Sequence, residues 1–320
     1  MRAAVQFAAI ARLACLEAVR RPVFLLVALT VYAGIVLMPF LLHYTLGESA
    51  RIIRDSALAL YFVGGLLLAA TAAGEALARE LRRGTAATVL AKPVPRAMFF
   101  LAKTAGIAAA LLLFSLAALA ATLLAVRAGA SEPQRDWTAA LPALLAVILA
   151  PALAGAWNHR THRPFASAAF LLLLLFLLLA LGVSAALATP LDHFVFPANF
   201  DWPILRVGLL LILCLGMVVA LAAALATRLQ VAPVLLVCAG VFLCGLMGDC
   251  LLGPRLADSW AARATYAVLP NVQAFWLLDA LDLAPTIPVD YLLLAAAYAA
   301  AWSAAVLCLG LVSFQRLEIS

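Results

Sequence analysis

The residues of this 320-residue chain best placed to do chemistry lie between positions 75 and 96, where Glu75, Arg79, Glu80, Arg82, Arg83, Lys92 and Arg96 punctuate an apolar sequence. Their chemistry is recognition rather than bond-making. Leu77 and Leu81 are four residues apart and share a helix face, while Arg79, Glu80, Arg82 and Arg83 project elsewhere. That is the pattern of a helix leaving a membrane span along the bilayer surface. Gly84 loosens the helix, and Pro93 and Pro95 end whatever resumes after it, since proline lacks an amide donor and restricts the residue before it. A charged helix at that surface either docks a soluble partner or holds the topology of its neighbours.

Other chemistries find no residues to carry them. No GxxxxGK[ST] phosphate loop occurs, and Gly64-Gly65 lies in an apolar run with no lysine nearby, so hydrolysis of ATP by this chain is not expected. His159 and His162 can share a helix face, but no glutamate completes HExxH; with Arg160 and Arg163 they read as positive charge at a span end. The six cysteines lack the paired spacing of a zinc site and read as small core residues, with a disulfide at Cys250 left open. No serine sits in GxSxG. Ion-coupled transport needs ionisable groups at mid-membrane, and the span centres hold essentially none. The net charge of +6 is accounted for by topology, so no nucleic-acid partner is expected.

The elements that must position these residues are membrane helices. Hydrophobic residues make up 68% of the chain and charged ones 11%, with a mean hydropathy of +1.14, against about half apolar and a quarter charged in soluble domains. A span needs about 20 apolar residues, and a backbone in lipid must satisfy its own hydrogen bonds. The expectation is one all-α polytopic membrane domain over 1–320. Its spans fall at 22–43, 57–77, 98–126, 138–157, 165–188, 204–227, 231–247 and 291–314. That makes eight by hydropathy, or six if 138–188 is a re-entrant or tightly paired unit. Residues 1–21 are read as a cytoplasmic interfacial segment. The charges at Arg2, Arg12, Glu17, Arg20 and Arg21 leave no uninterrupted apolar stretch for a cleavable signal peptide, so the first span serves as the insertion signal.

Charge placement supports the count. With both termini cytoplasmic, eight spans put Arg20, Arg21, Arg79, Arg82, Arg83, Lys92, Arg96 and Arg228 inside, as the positive-inside rule asks. Asp192, Asp201, Asp249, Asp258, Asp279, Asp282 and Asp290 fall outside. The most basic connection, 78–97, is then cytoplasmic. The longest, 248–290, is extracytoplasmic. Within it, 260–269 and 272–281 are apolar but too short to span. They are expected to be short helices dipping into the outer leaflet, with Trp260, Tyr266, Phe275 and Trp276 at headgroup level.

Glu80, Arg83-Gly84-Thr85, Leu90, Lys92-Pro93, Pro95-Arg96 and Lys103 together resemble the stretch E…GT…L…KP…R…K after the second span of ABC-2-type permeases, the membrane subunits of ATP-driven exporters. The likeness extends to Arg20-Arg21-Pro22 before the first span, and to Leu269-Pro270-Asn271 with Phe275 before the last. It covers both ends of the chain well and the middle, 128–203, poorly. The resemblance implies that 78–97 is a coupling helix seated in a groove of a separate ATPase subunit. Glu80, Arg83, Gly84 and Thr85 would make the coupling contacts, and Pro93, Arg96 and Lys103 would fix the exit of the segment. Pro270, Asn271 and Phe275 would belong to an outer re-entrant loop.

The same resemblance implies no cofactor in this chain, ATP being bound by the ATPase, and no enzymatic activity of its own. The implied partners are that ATPase, a second copy or a similar permease, and membrane lipid, in the cytoplasmic membrane of a bacterium. The family usually has six spans, so 138–188 is read as an inserted pair. The other reading of the chain is a membrane anchor or assembly factor that conducts nothing, which would need no ATPase at 78–97.

Overall fold

The computed structural model describes residues 2–42, 48–78, 95–130, 136–162, 164–187, 200–253, 259–277 and 287–316. In chain order the helices are α1 (Arg2–Val19), α2 (Pro22–Leu41), α3 (Ser49–Ala73), α4 (Arg96–Gly129), α5 (Trp137–Thr161), α6 (Phe165–Leu187), α7 (Pro203–Ala226), α8 (Val231–Leu246), α9 (Gly248–Leu252), α10 (Trp260–Val268) and α11 (Val289–Gln315). A π-helical turn, Gly74–Ala78, extends α3, and a 3-10 turn, Gln273–Phe275, precedes α11. No strand occurs among the described residues. The chain is a multi-pass membrane protein: among the described residues, seven helices are long and apolar enough to cross a bilayer.

Those seven coincide with seven of the eight hydropathy spans. The exception is α8, expected as a span over 231–247, which has 16 residues and so rises only ~24 Å, short of the ~30 Å hydrocarbon core. It stops at Met247, and the chain restarts as the five-residue α9. The pair α5 and α6 is a tight hairpin, as the six-span alternative anticipates. Yet its helices, of 25 and 23 residues, are each long enough to span. His162 turns the chain between them with φ at 53°, the left-handed conformation, and its amide closes on the Asn158 carbonyl. The hairpin packs on α2, where Phe24 meets Phe170 edge-on at 5.2 Å.

Two compact units make up the chain. One comprises residues 16–65 and 109–208. Its core holds Tyr32, Tyr61 and Phe114, with Tyr32 stacked on Phe114 and its hydroxyl donating to the Phe114 carbonyl at 3.1 Å. Glycines bring the backbones close: a Cβ on Gly34 would lie 2.6 Å from Leu60, and one on Gly64 would collide with Val31. The polar groups of this unit gather around Arg127, which is 9% exposed. Its Nε donates to Asp136 at 2.9 Å, one Nη to the Ser184 carbonyl at 2.8 Å, and the other to Thr138 Oγ1 at 3.0 Å. The guanidinium also lies 5.0 Å from the Phe200 ring centroid. One side chain thus ties the end of α4 to the N-cap of α5, the end of α6 and the approach to α7. Ser49 adds a bond from the start of α3 to the Gly129 carbonyl, at 2.8 Å.

The second unit comprises residues 1–15, 66–108 and 209–320. Here α1 lies against α4 where Gly106 removes the side chain: a Cβ there would collide with the Ala11 carbonyl and crowd Ala14. The segment expected to be interfacial forms a regular helix over 2–19 that touches α4 at Ala11 and Ala14, with Val5 and Leu13 exposed.

Burial alone would raise the Asp136 carboxyl, but hydrogen bonds from Thr138 and Arg127 outweigh it and hold the group below its ordinary range. A carboxyl more acidic folded than unfolded contributes its full stability above about pH 4 and loses it as pH falls through the folded value. Arg127→Leu, which removes the guanidinium donors from Asp136 and the Ser184 carbonyl, is expected to destabilise the protein by about 3 kcal/mol. Thermal melting in detergent at pH 7 checks this. Wild type is expected to lose its margin over the variant as pH is lowered past about 4.

Candidate functional site

Of the residues that the sequence assigns to coupling, Glu80, Arg83, Gly84, Thr85 and Pro93 lie outside the described residues. Arg96 and Lys103 lie within them, as do both flanks of the segment. On the upstream flank α3 widens into its π turn at Gly74–Ala78. Turns of this kind leave the regular hydrogen-bond ladder and are frequent at functional positions. Gly74 fits the turn against the first residue of α8: a Cβ there would sit 3.0 Å from the Val231 Cα. Glu75 falls inside this turn. On the downstream flank Arg96 opens α4 and reaches the last residue of α11, donating to the Gln315 carbonyl at 3.3 Å. Lys103, two turns further on, is buried at 4% exposure, with its ammonium 5.6 Å from the Phe99 ring centroid. It therefore belongs to the packed base of α4.

The same end of α11 is held by packing. Phe314 is fully buried between Phe99, at 6.3 Å, and Phe100, at 5.8 Å. One turn back, Gly310 lets α11 approach α7 and α4 closely: a Cβ there would lie 2.8 Å from Ala224 Cβ and 3.0 Å from the Phe100 ring. Ser313 accepts from Arg228 Nε at 3.0 Å and pairs with the Thr227 hydroxyl at 3.1 Å. These contacts tie the end of α11 to the turn between α7 and α8.

The other end of α11 holds the segment with the remaining candidate residues. Pro270 and Phe275 are buried and Asn271 is partly so. The segment folds back onto α8: the Val272 amide donates to the Gly245 carbonyl at 3.3 Å, and a Cβ on Gly245 would collide with the Pro270 carbonyl. Three side chains of α11 strap it down. Tyr298 accepts the Asn271 amide at 2.9 Å, Trp302 Nε1 donates to the Val268 carbonyl at 3.2 Å, and Tyr291 donates to the Ala274 carbonyl at 2.7 Å. Asn271 Oδ1 takes the Ala274 amide at 3.3 Å, closing the turn locally. The preceding α10 is fixed by Tyr266, whose hydroxyl donates to Asp249 at 2.7 Å. That bond holds the phenol above its ordinary range, with burial adding to the rise.

The structure thus brings Pro270, Asn271 and Phe275 together in one non-helical turn and revises two expectations about it. The short helix over 260–269 is present as α10, with Trp260 81% exposed. The described part of 272–281 is instead a 3-10 turn followed by irregular chain, because the Val272 and Ala274 amides are spent on Gly245 and Asn271. Phe275, expected at the headgroups, is buried with its ring 6.1 Å from Tyr298. The residues that sequence reasoning missed are the partners: Gly245, and the polar aromatics Tyr291, Tyr298 and Trp302. Their spacing of seven and four puts them on one helix face, and that was the signal available.

Among the described residues no group of three His, Cys, Asp or Glu is placed to hold a metal ion, and all six cysteines are free. One helix, α11, is thus fastened at one end to the start of α4 and at the other to the turn at 270–275.

Gly245→Val is expected to push the turn off α8 and destabilise by about 1–3 kcal/mol, with faster amide exchange at Val272 and Ala274 than in wild type. Unchanged exchange at those two amides would show that the turn is not seated there. Comparison of the chain with family models, with curated proteins and with solved structures returns no match.

Proposed function

We propose that this chain is the membrane-spanning subunit of an ABC-2-type exporter, moving its cargo outward with energy supplied by a separate ATPase bound at residues 78–97. The observation that carries this reading is the anchoring of that segment on both flanks. The π turn before it rests on α8 through Gly74 and Val231, and Arg96 after it is bonded to the end of α11. A force applied to 78–97 would therefore load α3, α4, α8 and α11 together, whereas a segment that only fixes topology has no need of such ties. The chain has no phosphate loop of its own, which makes the partner necessary.

In this reading closure of the ATPase pair biases the bundle between two arrangements. A helix of 27 residues is ~40 Å long and reaches from the coupling face to the outer turn. Glu80, Arg83, Gly84 and Thr85 make the coupling contacts, with Pro93, Arg96 and Lys103 as their base. Pro270, Asn271 and Phe275 form the outer element that the motion rearranges. The subunit pairs with a second copy or a similar chain in the cytoplasmic membrane of a bacterium, and carries no cofactor and no catalytic activity itself. Apolar and small residues in the spans suit hydrophobic cargo.

The test is co-purification from the native host. Wild type is expected to bring down an ATPase, and the double variant Glu80→Ala/Gly84→Trp to lose it while reaching the membrane in normal amount. Well-expressed wild type that carries no ATPase activity would overturn the exporter reading in favour of a non-transporting anchor.

A further inference from the structure

Three exposed arginines from distant parts of the chain meet at the C-terminal end of α11. Arg228, in the turn after α7, donates from Nε to Ser313 Oγ at 3.0 Å and from Nη2 to the Ser313 carbonyl at 3.3 Å. Arg96, which opens α4, donates to the Gln315 carbonyl at 3.3 Å. Arg316 follows directly, its amide closing on the Val312 carbonyl at 3.3 Å. The contacts of Arg228 end on uncharged oxygens, and neither Arg228 nor Arg316 pairs with a carboxylate of the described residues.

Capping explains part of this arrangement. The last four carbonyls of a helix lack intrahelical partners, and cations offset the negative end of its dipole. That end amounts to about half an elementary charge, against two guanidinium charges with no described carboxylate opposite them. Ser313 takes two of the N–H groups of Arg228, and the rest of the guanidinium fork can still donate. Depth comes from α7. Arg206 and Arg228 bound a stretch with no charged residue and are 22 positions apart, ~33 Å of helix, close to the ~30 Å hydrocarbon core. Arg228 therefore sits at the headgroup level of one leaflet, and the charge sorting of the loops makes that leaflet the cytoplasmic one.

We propose that Arg228 and Arg316 hold the phosphate of an anionic glycerophospholipid from that leaflet, with Arg96 adding to the positive field. A guanidinium donates through a rigid planar fork that matches phosphate oxygens two at a time, and lipid phosphates lie at the depth these side chains occupy. An acidic protein surface would have to enter the headgroup layer to reach them, where a lipid already stands. The positive charge selects headgroups of net negative charge over zwitterionic ones, whose amine it repels. Basic pockets between membrane helices on the cytoplasmic side bind such headgroups in general. Topology alone asks for positive charge anywhere in a cytoplasmic loop and does not require its convergence on one helix end. This inference does not depend on the ATPase.

The test uses the full chain in mixed micelles of detergent, phosphatidylglycerol and phosphatidylcholine, with bound lipid counted by native mass spectrometry. Wild type is expected to retain one phosphatidylglycerol with about tenfold preference over phosphatidylcholine, and Arg228→Gln/Arg316→Gln to lose the preference. Arg20→Gln/Arg160→Gln, which removes two exposed arginines elsewhere, is expected to keep it. Equal retention of both lipids by wild type, or loss of the preference in both variants alike, would overturn the proposal. So would displacement of the lipid by millimolar inorganic phosphate, the mark of a site for the free anion. If Arg228→Gln/Arg316→Gln melts early, photolabelling of wild type decides. A phosphatidylglycerol with a diazirine on its headgroup is expected to label 228–231 and 313–316, and less so as salt rises from about 50 to about 500 mM. Labels spread evenly over the chain, or crosslinks from 313–316 to a co-purified protein in place of lipid, remove the site.

Discussion

Hydrocarbon offers no partner to a peptide amide, and the rest of this structure depends on that constraint. It selects helix over every other spanning form for a chain this apolar, and it makes helix ends the places where the chain has to solve a chemical problem, because the terminal amides and carbonyls lack intrahelical partners. The polar side chains are concentrated accordingly. Asp136 caps α5 by accepting the Thr138 amide. Arg127 covers the Ser184 carbonyl three residues before α6 ends, and Ser49 covers the Gly129 carbonyl at the end of α4. A buried arginine among apolar helices is costly alone; three hydrogen bonds and an aromatic face make it tolerable and turn it into a clasp for four segments.

The same constraint explains the non-helical turn before α11. Between Val268 and Phe275 the backbone leaves the helix, and its exposed groups are met one by one: Trp302 for the Val268 carbonyl, Tyr298 for the Asn271 amide, Gly245 for the Val272 amide, Asn271 for the Ala274 amide and Tyr291 for the Ala274 carbonyl. Irregular backbone is tolerated at membrane depth when protein satisfies it. Because most of these partners sit on α11, the turn cannot rearrange without that helix. The opposite end of α11 is pinned by Arg96, Phe99, Phe100 and Arg228. A contiguous set of contacts therefore runs from the flank of the basic segment to the turn.

How much of this was legible in the sequence follows from which forces act locally. The spans were legible because apolar length alone determines them, and seven of eight agree closely with the structure. The eighth, expected over 231–247, ends where hydropathy places it, at Met247 before Gly248 and Asp249, but its 16 helical residues are too few to span the ~30 Å hydrocarbon core. Pro270, Asn271 and Phe275 could be picked out as a turn, but not their burial, which depends on side chains about 17 to 30 positions away. Lys103 was assigned to the exit of the segment by resemblance, and its burial over Phe99 depends on tertiary packing that the sequence does not display. The glycines that set helix approach, Gly106, Gly245 and Gly310, look like any others in a small-residue-rich chain. Only the backbone or side chain opposite each one distinguishes it.

In the proposed exporter, energy delivered at residues 78–97 reaches the outer turn along α11. The most direct test places a cysteine at the exposed Gln273, in a background with the native cysteines changed to serine. Its labelling by a membrane-impermeant maleimide is then followed in native-host membranes with and without ATP. The account predicts a labelling rate that changes when ATP is hydrolysed and ceases to change in Glu80→Ala/Gly84→Trp. An identical rate under both conditions, in membranes where an ATPase is bound to the chain, would contradict it.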